Sequence, residues 1–150
     1  MPKDEDQNAA AILRDTGVEV HDDEFALLSI EKHRWPDLLR NQNAGPGAES
    51  VFMIFSDPFE VTLLLNRKDL QPVLDTITEA RVERGFRLLT FTTPMSFDVV
   101  GFLAAVTRIL ADAGIPVVAA SSFSRDHLLI KQDDLAAALK VLGPFVDKLC

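Results

Sequence analysis

The densest group of side chains able to do chemistry lies late in the chain: Ser121, Ser122, Ser124, Asp126 and His127 fall within seven residues. Serine, histidine and carboxylate are the parts of a nucleophilic triad. Such a triad would hydrolyse an ester or amide with Ser122 or Ser124 as nucleophile and His127 as base. Its members must converge from positions set by the fold, whereas strand neighbours such as Asp126 and His127 point to opposite faces. The plainer reading is a polar turn entering a strand. His21-Asp22-Asp23 offers hard oxygen donors to a cation, but three residues at an exposed turn do not enclose one. No P-loop, GxGxxG, GxSxG or HExxH pattern occurs. No metal and no cofactor is expected.

A second group points to binding rather than bond-making. Pro94 closes a strand over 86–93 that is rich in aromatic and β-branched residues, and Ser96 is placed to cap a helix over 97–113. The free N–H groups near Phe97 to Val100 would receive a carboxylate or phosphate. Gly101 falls on the first turn, at a cost of roughly 1 kcal/mol against alanine. Close approach by a ligand or another backbone would explain it, and so would tight packing on a sheet. Asp98 and Asp126 are the nearby acids able to hold an ammonium. As plain structure, Asp98 complements the helix dipole and Asp126 is a solvated turn residue. Phe102 and Phe123 would wall a small pocket or simply join the core. An anion receiver beside two carboxylates is what a free amino acid needs.

The elements that must position these groups follow from periodicity and punctuation. Residues 1–7 are polar and acidic and read as disordered; 9–14 could form a turn or two of helix ended by Gly17. Strands are expected over 18–21 and 25–30 with Asp22-Asp23-Glu24 as the turn between them. A short helix opens at Trp35-Pro36 and runs to Arg40, followed by a loop over 41–50. Strands over 51–56 and 60–65 flank Asp57-Pro58, and a helix is expected over 69–82. After the helix over 97–113, which is apolar enough to be mostly buried and has Gly114 as its stop, come strands over 115–123 and 127–132. Asp133 or Asp134 is expected to cap a last helix over 135–142, with a final turn over 145–150. Trp35 reads as a core anchor and His33 as a surface residue. Each half therefore reads as a βαββα unit of the α+β type.

The chain has 150 residues, enough for one domain or two small ones, and 47% hydrophobic residues can fill a core. The net charge of −8 argues against nucleic acid and anionic membrane as partners. Residues 1–24 contribute −6 of that charge and 25–150 only −2. Cys150 alone makes no disulfide framework and no zinc cluster. The sequence lacks an apolar signal region and an uncharged apolar run of about 18 residues, so a cytoplasmic protein is expected.

Three segments carry a family resemblance. They are Val82-Glu83-Arg84-Gly85-Phe86-Arg87-Leu88-Leu89, Pro94-Met95-Ser96-Phe97-Asp98-Val99-Val100-Gly101-Phe102 and Ser121-Ser122-Phe123-Ser124-Arg125-Asp126-His127-Leu128-Leu129-Ile130. In order and spacing the chain resembles the ACT-domain proteins related to the cytosolic arginine sensors and their small tandem relatives. The resemblance is good over 82–142, weaker over 18–81 and absent over 1–17. It implies an α+β fold of two ferredoxin-like (βαββαβ-type) ACT-like sandwiches in tandem. The implied divisions are an acidic segment 1–17 that is partly disordered, a degenerate first unit 18–82 and a second unit 83–150.

The resemblance further implies no catalysis and a small ligand held where two ACT units pack. Carried over by position, the ligand-binding residues are Ser96, Asp98, Gly101, Phe102, Ser122, Phe123 and Asp126. Pro116 and Val117 come from the facing unit, or from the other subunit of a homodimer. Val99 stands where the arginine sensor has an acid, and Arg125 where relatives are uncharged. Both departures point away from a cationic ligand and towards a neutral or acidic amino acid. The expected function is a non-enzymatic regulatory sensor. The alternatives are a ligand-free ACT-like interaction module whose acidic N-terminal segment meets a basic partner, and the small serine hydrolase.

Overall fold

The computed structural model describes residues 4–150, with side chains from Asn8 onward. The fold is mixed α+β, with one six-stranded antiparallel sheet in the order β2-β3-β1-β4-β6-β5. Its strands are β1 (Val18–Glu31), β2 (Met53–Ser56), β3 (Glu60–Asn66), β4 (Arg81–Phe91), β5 (Val118–Ser121) and β6 (Asp126–Lys131). The helices are α1 (Asp4–Arg14), α2 (Trp35–Arg40), α3 (Arg67–Thr76), α4 (Phe102–Asp112) and α5 (Leu135–Leu142). Contacts divide the chain into two units, Asp23–Phe86 and Met1–Asp22 with Arg87–Cys150.

In the unit Asp23–Phe86, β1 pairs with β3 from Phe25↔Asn66 to Glu31↔Glu60, and β2 pairs with the outer side of β3. Ala26, Leu28 and Ile30 of β1 and Val61, Leu63 and Leu65 of β3 are buried at every second position, so one face meets the core. Leu70, Val73 and Ile77 cover that face. The Asp57 carboxylate closes the turn into β3 by accepting the N–H groups of Phe59 and Glu60 at 2.7 and 2.8 Å. Asn66 caps α3 by accepting the Lys68 N–H at 2.9 Å. Trp35 packs against this core, and His33 lies at the surface beside Glu31.

Two expectations fail here. The acidic stretch Asp22-Asp23-Glu24 is no turn, because β1 runs through it without a break. Lys68 and Arg67 at the start of α3 reach Asp23 and Glu24 at 3.1 and 3.7 Å, so the charges are answered within a strand. The helix expected over 69–82 stops at Thr76, where the β-branched run Thr76-Ile77-Thr78 disfavours its continuation. Residues 81–86 are instead the first half of β4, with Gly85 inside the strand.

In the other unit, α1, α4 and α5 supply Leu13, Phe102, Val106, Leu110, Ala138 and Leu142 to a core shared with Leu89, Phe91, Leu128 and Ile130. The α1 helix is longer than the turn or two expected and begins at Asp4, so residues 4–7 are helical and not disordered as expected, while residues 1–3 of that stretch lie outside the described residues. Ala9, Leu13 and Thr16 are buried. The last residues form no helical turn. Lys148–Cys150 run parallel to the start of β1, with Val18 N–H to Lys148 O, Cys150 N–H to Val18 O and Val20 N–H to Cys150 O all at 2.8 Å. The α5 helix has the expected bounds, but a 3₁₀ turn over Gln132–Asp134 leads into it and Asp134 makes no side-chain cap.

The largest correction concerns α4. It begins at Phe102, five residues after the expected start, and residues 92–101 form a loop. Gly101 is its N-cap, with φ +86°. An L side chain resists that left-handed conformation, so the glycine marks where the helix begins. A methyl group at Gly101 would lie 3.7 Å from the Ala9 side chain, an ordinary contact, so crowding is not the reason for the glycine. Nor is α4 buried all round. Phe102, Val106 and Leu110 form one buried stripe at four-residue spacing, and Arg108 pairs with Asp112 at 3.9 Å on the wet side. Gly114 follows the helix with φ +72°, as expected of its stop.

Candidate functional site

The strand β5 and its partner β6 meet in the register Ser121↔Asp126, which leaves Phe123 and Ser124 as a two-residue tip between Ser122 and Arg125. Tight hairpins favour turns with positive φ at glycine or asparagine. Neither residue here is glycine, and no described non-glycine residue has positive φ. The tip is held from outside instead. Met95 N–H donates to Ser124 O at 2.8 Å, and Arg125 Nε donates to Thr92 O at 2.9 Å. Phe97 packs edge to face on Phe123. The loop 92–101 and the hairpin tip are thus fastened together beside the start of α4.

Between these three elements lies an open cleft of ≈ 330 Å³. Ser96, Gly101, Phe102, Ser122, Phe123 and Asp126 all line it, with Arg125 beside them. Asp98, Pro116 and Val117 do not line it. Asp98 sits in the exposed loop and accepts a hydrogen bond from Ser96 Oγ. That hydroxyl holds its carboxyl below the ordinary aspartate range. Pro116 and Val117 lead into β5, Pro116 exposed and Val117 half-buried. Phe102 belongs mainly to the core, where it meets Phe91 edge to face at 5.2 Å; Phe123 is 81% exposed.

The polar character of the cleft comes from three sources. An α-helix leaves its first N–H groups without intrahelical acceptors. In α4 the first helical bond is Ala105 N–H to Gly101 O, so the groups left over are those of Phe102, Leu103 and Ala104. Their N-cap is a glycine with no side chain to satisfy them. They sit where the sequence suggested anion-receiving amides, shifted from 97–100 to 102–104. The second source is Asp126, whose Oδ1 accepts from Ser121 Oγ at 2.5 Å. The third is Arg125. One acid, one base and a row of free amides suit a ligand carrying both charges.

Behind the cleft lies a polar line that sequence reasoning did not assemble. Thr90 of β4 is 8% exposed and lies between two histidines. Its Oγ1 is 2.9 Å from His21 Nε2 and 2.8 Å from His127 Nδ1, and His127 Nε2 is 3.1 Å from Ser122 Oγ. Burial holds the His127 imidazole below its ordinary pKa; His21 and Arg125 act in the same direction, and Asp126 opposes them. The three positions are 21, 90 and 127, and only strand pairing brings them together. Asp22 and Asp23 take no part in this line, and Asp23 is turned to Lys68.

Residues 81–143 match the family model of the ACT domain. No curated protein matches the chain. Among solved structures it is similar to a protein of Agobacterium tumefaciens at 19% identity and TM-score 0.70, covering 91% of this chain and 92% of that one. It is also similar to a protein of unknown function from Vibrio cholerae, described as a possible transport protein, at 20% identity and TM-score 0.65, covering 93% and 96%. A third is the regulatory subunit of aspartate kinase from Thermus thermophilus, at 12% identity and TM-score 0.63, covering 89% and 98%. These likenesses establish a shared fold. No described helix is long and apolar enough to cross a membrane.

Proposed function

We propose that the protein is a non-enzymatic regulatory module that binds a free amino acid, neutral or acidic, in the cleft between the loop 92–101, α4 and the β5–β6 hairpin. The observation that carries this reading is the convergence of the uncapped α4 amides with Arg125 and Asp126 on one cleft of ≈ 330 Å³. Small-ligand sites start at about that size, with a few placed polar groups in an apolar lining. The ligand carboxylate meets the amides of Phe102–Ala104, and its ammonium meets Asp126. Arg125 disfavours arginine and lysine. The ACT match over 81–143 supports the reading, as does a fold shared with an aspartate kinase regulatory subunit.

On this reading the protein is a cytoplasmic homodimer of tandem ACT-like units, and Pro116 and Val117 of the partner subunit close the open side of the cleft. A thermal-shift panel of the common amino acids tests it. A ligand that binds only the folded state raises the melting temperature by mass action. At least one neutral or acidic amino acid is expected to do so, and Asp126→Ala to abolish the shift. No shift from any member of the panel refutes the proposal.

The second reading is a ligand-free interaction module. What favours it is the apolar surface around β2, where Phe52, Phe55 and Phe59 are 46%, 61% and 87% exposed. It requires a folded chain whose melting is indifferent to every amino acid.

A further inference from the structure

Met95, Phe97, Val99, Leu103 and Phe123 line the cleft at the start of α4. Met95, Val99 and Leu103 are half-buried and pack against the core of their unit. Phe97 and Phe123 meet edge to face, yet they are 80% and 81% exposed. One exposed apolar side chain is ordinary. Two large rings side by side on a cleft are an apolar wall left in water, which marks a surface for a ligand or partner. The Met95 N–H bond to Ser124 O at 2.8 Å joins the loop 92–101 to the hairpin tip, so the wall is formed before any ligand arrives.

The serine hydroxyls along the cleft are already used. Ser96 Oγ donates to Asp98, Ser121 Oγ donates to Asp126 Oδ1 at 2.5 Å, and Ser122 Oγ donates to the Arg125 carbonyl at 3.2 Å. A hydroxyl has one proton, so none of the three offers a donor to a ligand side chain. Arg125 is the one cation among the described lining residues, and its Nε is spent on the Thr92 carbonyl at 2.9 Å. Asp126 lines the same cleft, and Asp98 stands in the loop beside it. A second carboxylate brought in by an acidic ligand would face two acids and one base.

We infer that the ligand of this cleft is an amino acid with an apolar side chain, and that Phe97 and Phe123 are the residues that select it. The inference rests on the amino-acid reading of the site and narrows it from neutral or acidic to apolar. The ligand's charged main-chain groups are answered as that reading has it. Its side chain lies against the two rings and removes apolar surface from water. A polar side chain of the same shape would lose its own water there and find no free hydroxyl donor in return.

Isothermal titration of the full chain with the common amino acids tests this. Valine and threonine, leucine and asparagine, and methionine and glutamine are pairs close in shape that differ in polarity. The tightest binder is expected to be apolar, and the apolar member of a pair to bind roughly ten- to hundred-fold more tightly than its polar counterpart. A polar or acidic amino acid as the tightest binder overturns the inference and leaves the amino-acid reading standing. No binding by any amino acid overturns both. Phe97→Ala and Phe123→Ala should bring the apolar-to-polar affinity ratio of each pair towards one, and Phe123→Leu should keep it. A merely structural role for the rings would weaken both members of a pair equally. An unchanged ratio in both alanine variants therefore overturns the assignment of selectivity to Phe97 and Phe123.

Discussion

Phe97 and Phe123 meet edge to face with ring centroids 5.0 Å apart and planes at 81°, although each ring is about four-fifths exposed. One ring comes from the loop 92–101 and the other from the hairpin tip, so the pair fastens two segments that lack regular structure. Aromatic pairs of this geometry contribute about 0.5–1.5 kcal/mol beyond area burial. Phe97→Ala is expected to cost no more than about 1.5 kcal/mol of global stability in urea denaturation. It should nevertheless increase amide exchange at Ser122–Arg125. Unchanged exchange there would show that the hairpin tip does not depend on the pair.

Gly101→Ala should destabilise the protein although there is room for the methyl group. The cost comes from the left-handed backbone, about 1–2 kcal/mol. Equilibrium denaturation of Gly101→Ala measures it. A neutral result would mean that the α4 N-cap relaxes freely, and the amides of Phe102–Ala104 would then not be fixed in place.

Leu110→Ala removes a fully buried side chain from the inner stripe of α4 and should cost about 2–5 kcal/mol, depending on how far the core collapses. Arg108→Ala, on the wet side of the same helix, should cost well under about 1 kcal/mol. Comparable losses from both would contradict a helix with one buried face.

Acid should destabilise the fold through His127. Burial depresses its folded pKa below the ordinary imidazole value of 6.5. Between the two values the unfolded chain binds more protons, so stability rises with pH across that window. The contribution is complete above about 6.5 and is lost as pH falls through the folded value. Urea midpoints measured from pH 4.5 to 7.5 should show this slope in the wild type and a shallower one in His127→Gln. Equal slopes would sink the assignment.

How far these features were legible differs by range of interaction. The strand over 60–65, the helices over 35–40 and 135–142 and the stop at Gly114 could be read directly, because local periodicity and glycine punctuation set them, whereas the strand expected over 86–93 runs instead over Arg81–Phe91. The acidic stretch at 22–24 could not, since Lys68 and Arg67, more than forty residues away, answer its charge inside a strand. The start of α4 was misplaced because Ser96 looks like a cap in sequence, yet its hydroxyl is spent on Asp98 and the positive φ lies at Gly101.

The candidate site divides in the same way. Composition and spacing, with the family resemblance, singled out Ser96, Gly101, Phe102, Ser122, Phe123 and Asp126, and these line one cleft. Phe97 was overlooked as a partner for Phe123 because nothing local brings a loop residue onto a hairpin tip. Thr90 and His21 were invisible as neighbours of His127, because their contacts exist only once strands far apart in sequence are paired. The sequence by itself determined which residue types were available and which local elements would form. The tertiary structure decided which of them meet, since His21, Thr90 and His127 come within hydrogen-bond distance only once strands far apart in sequence are paired.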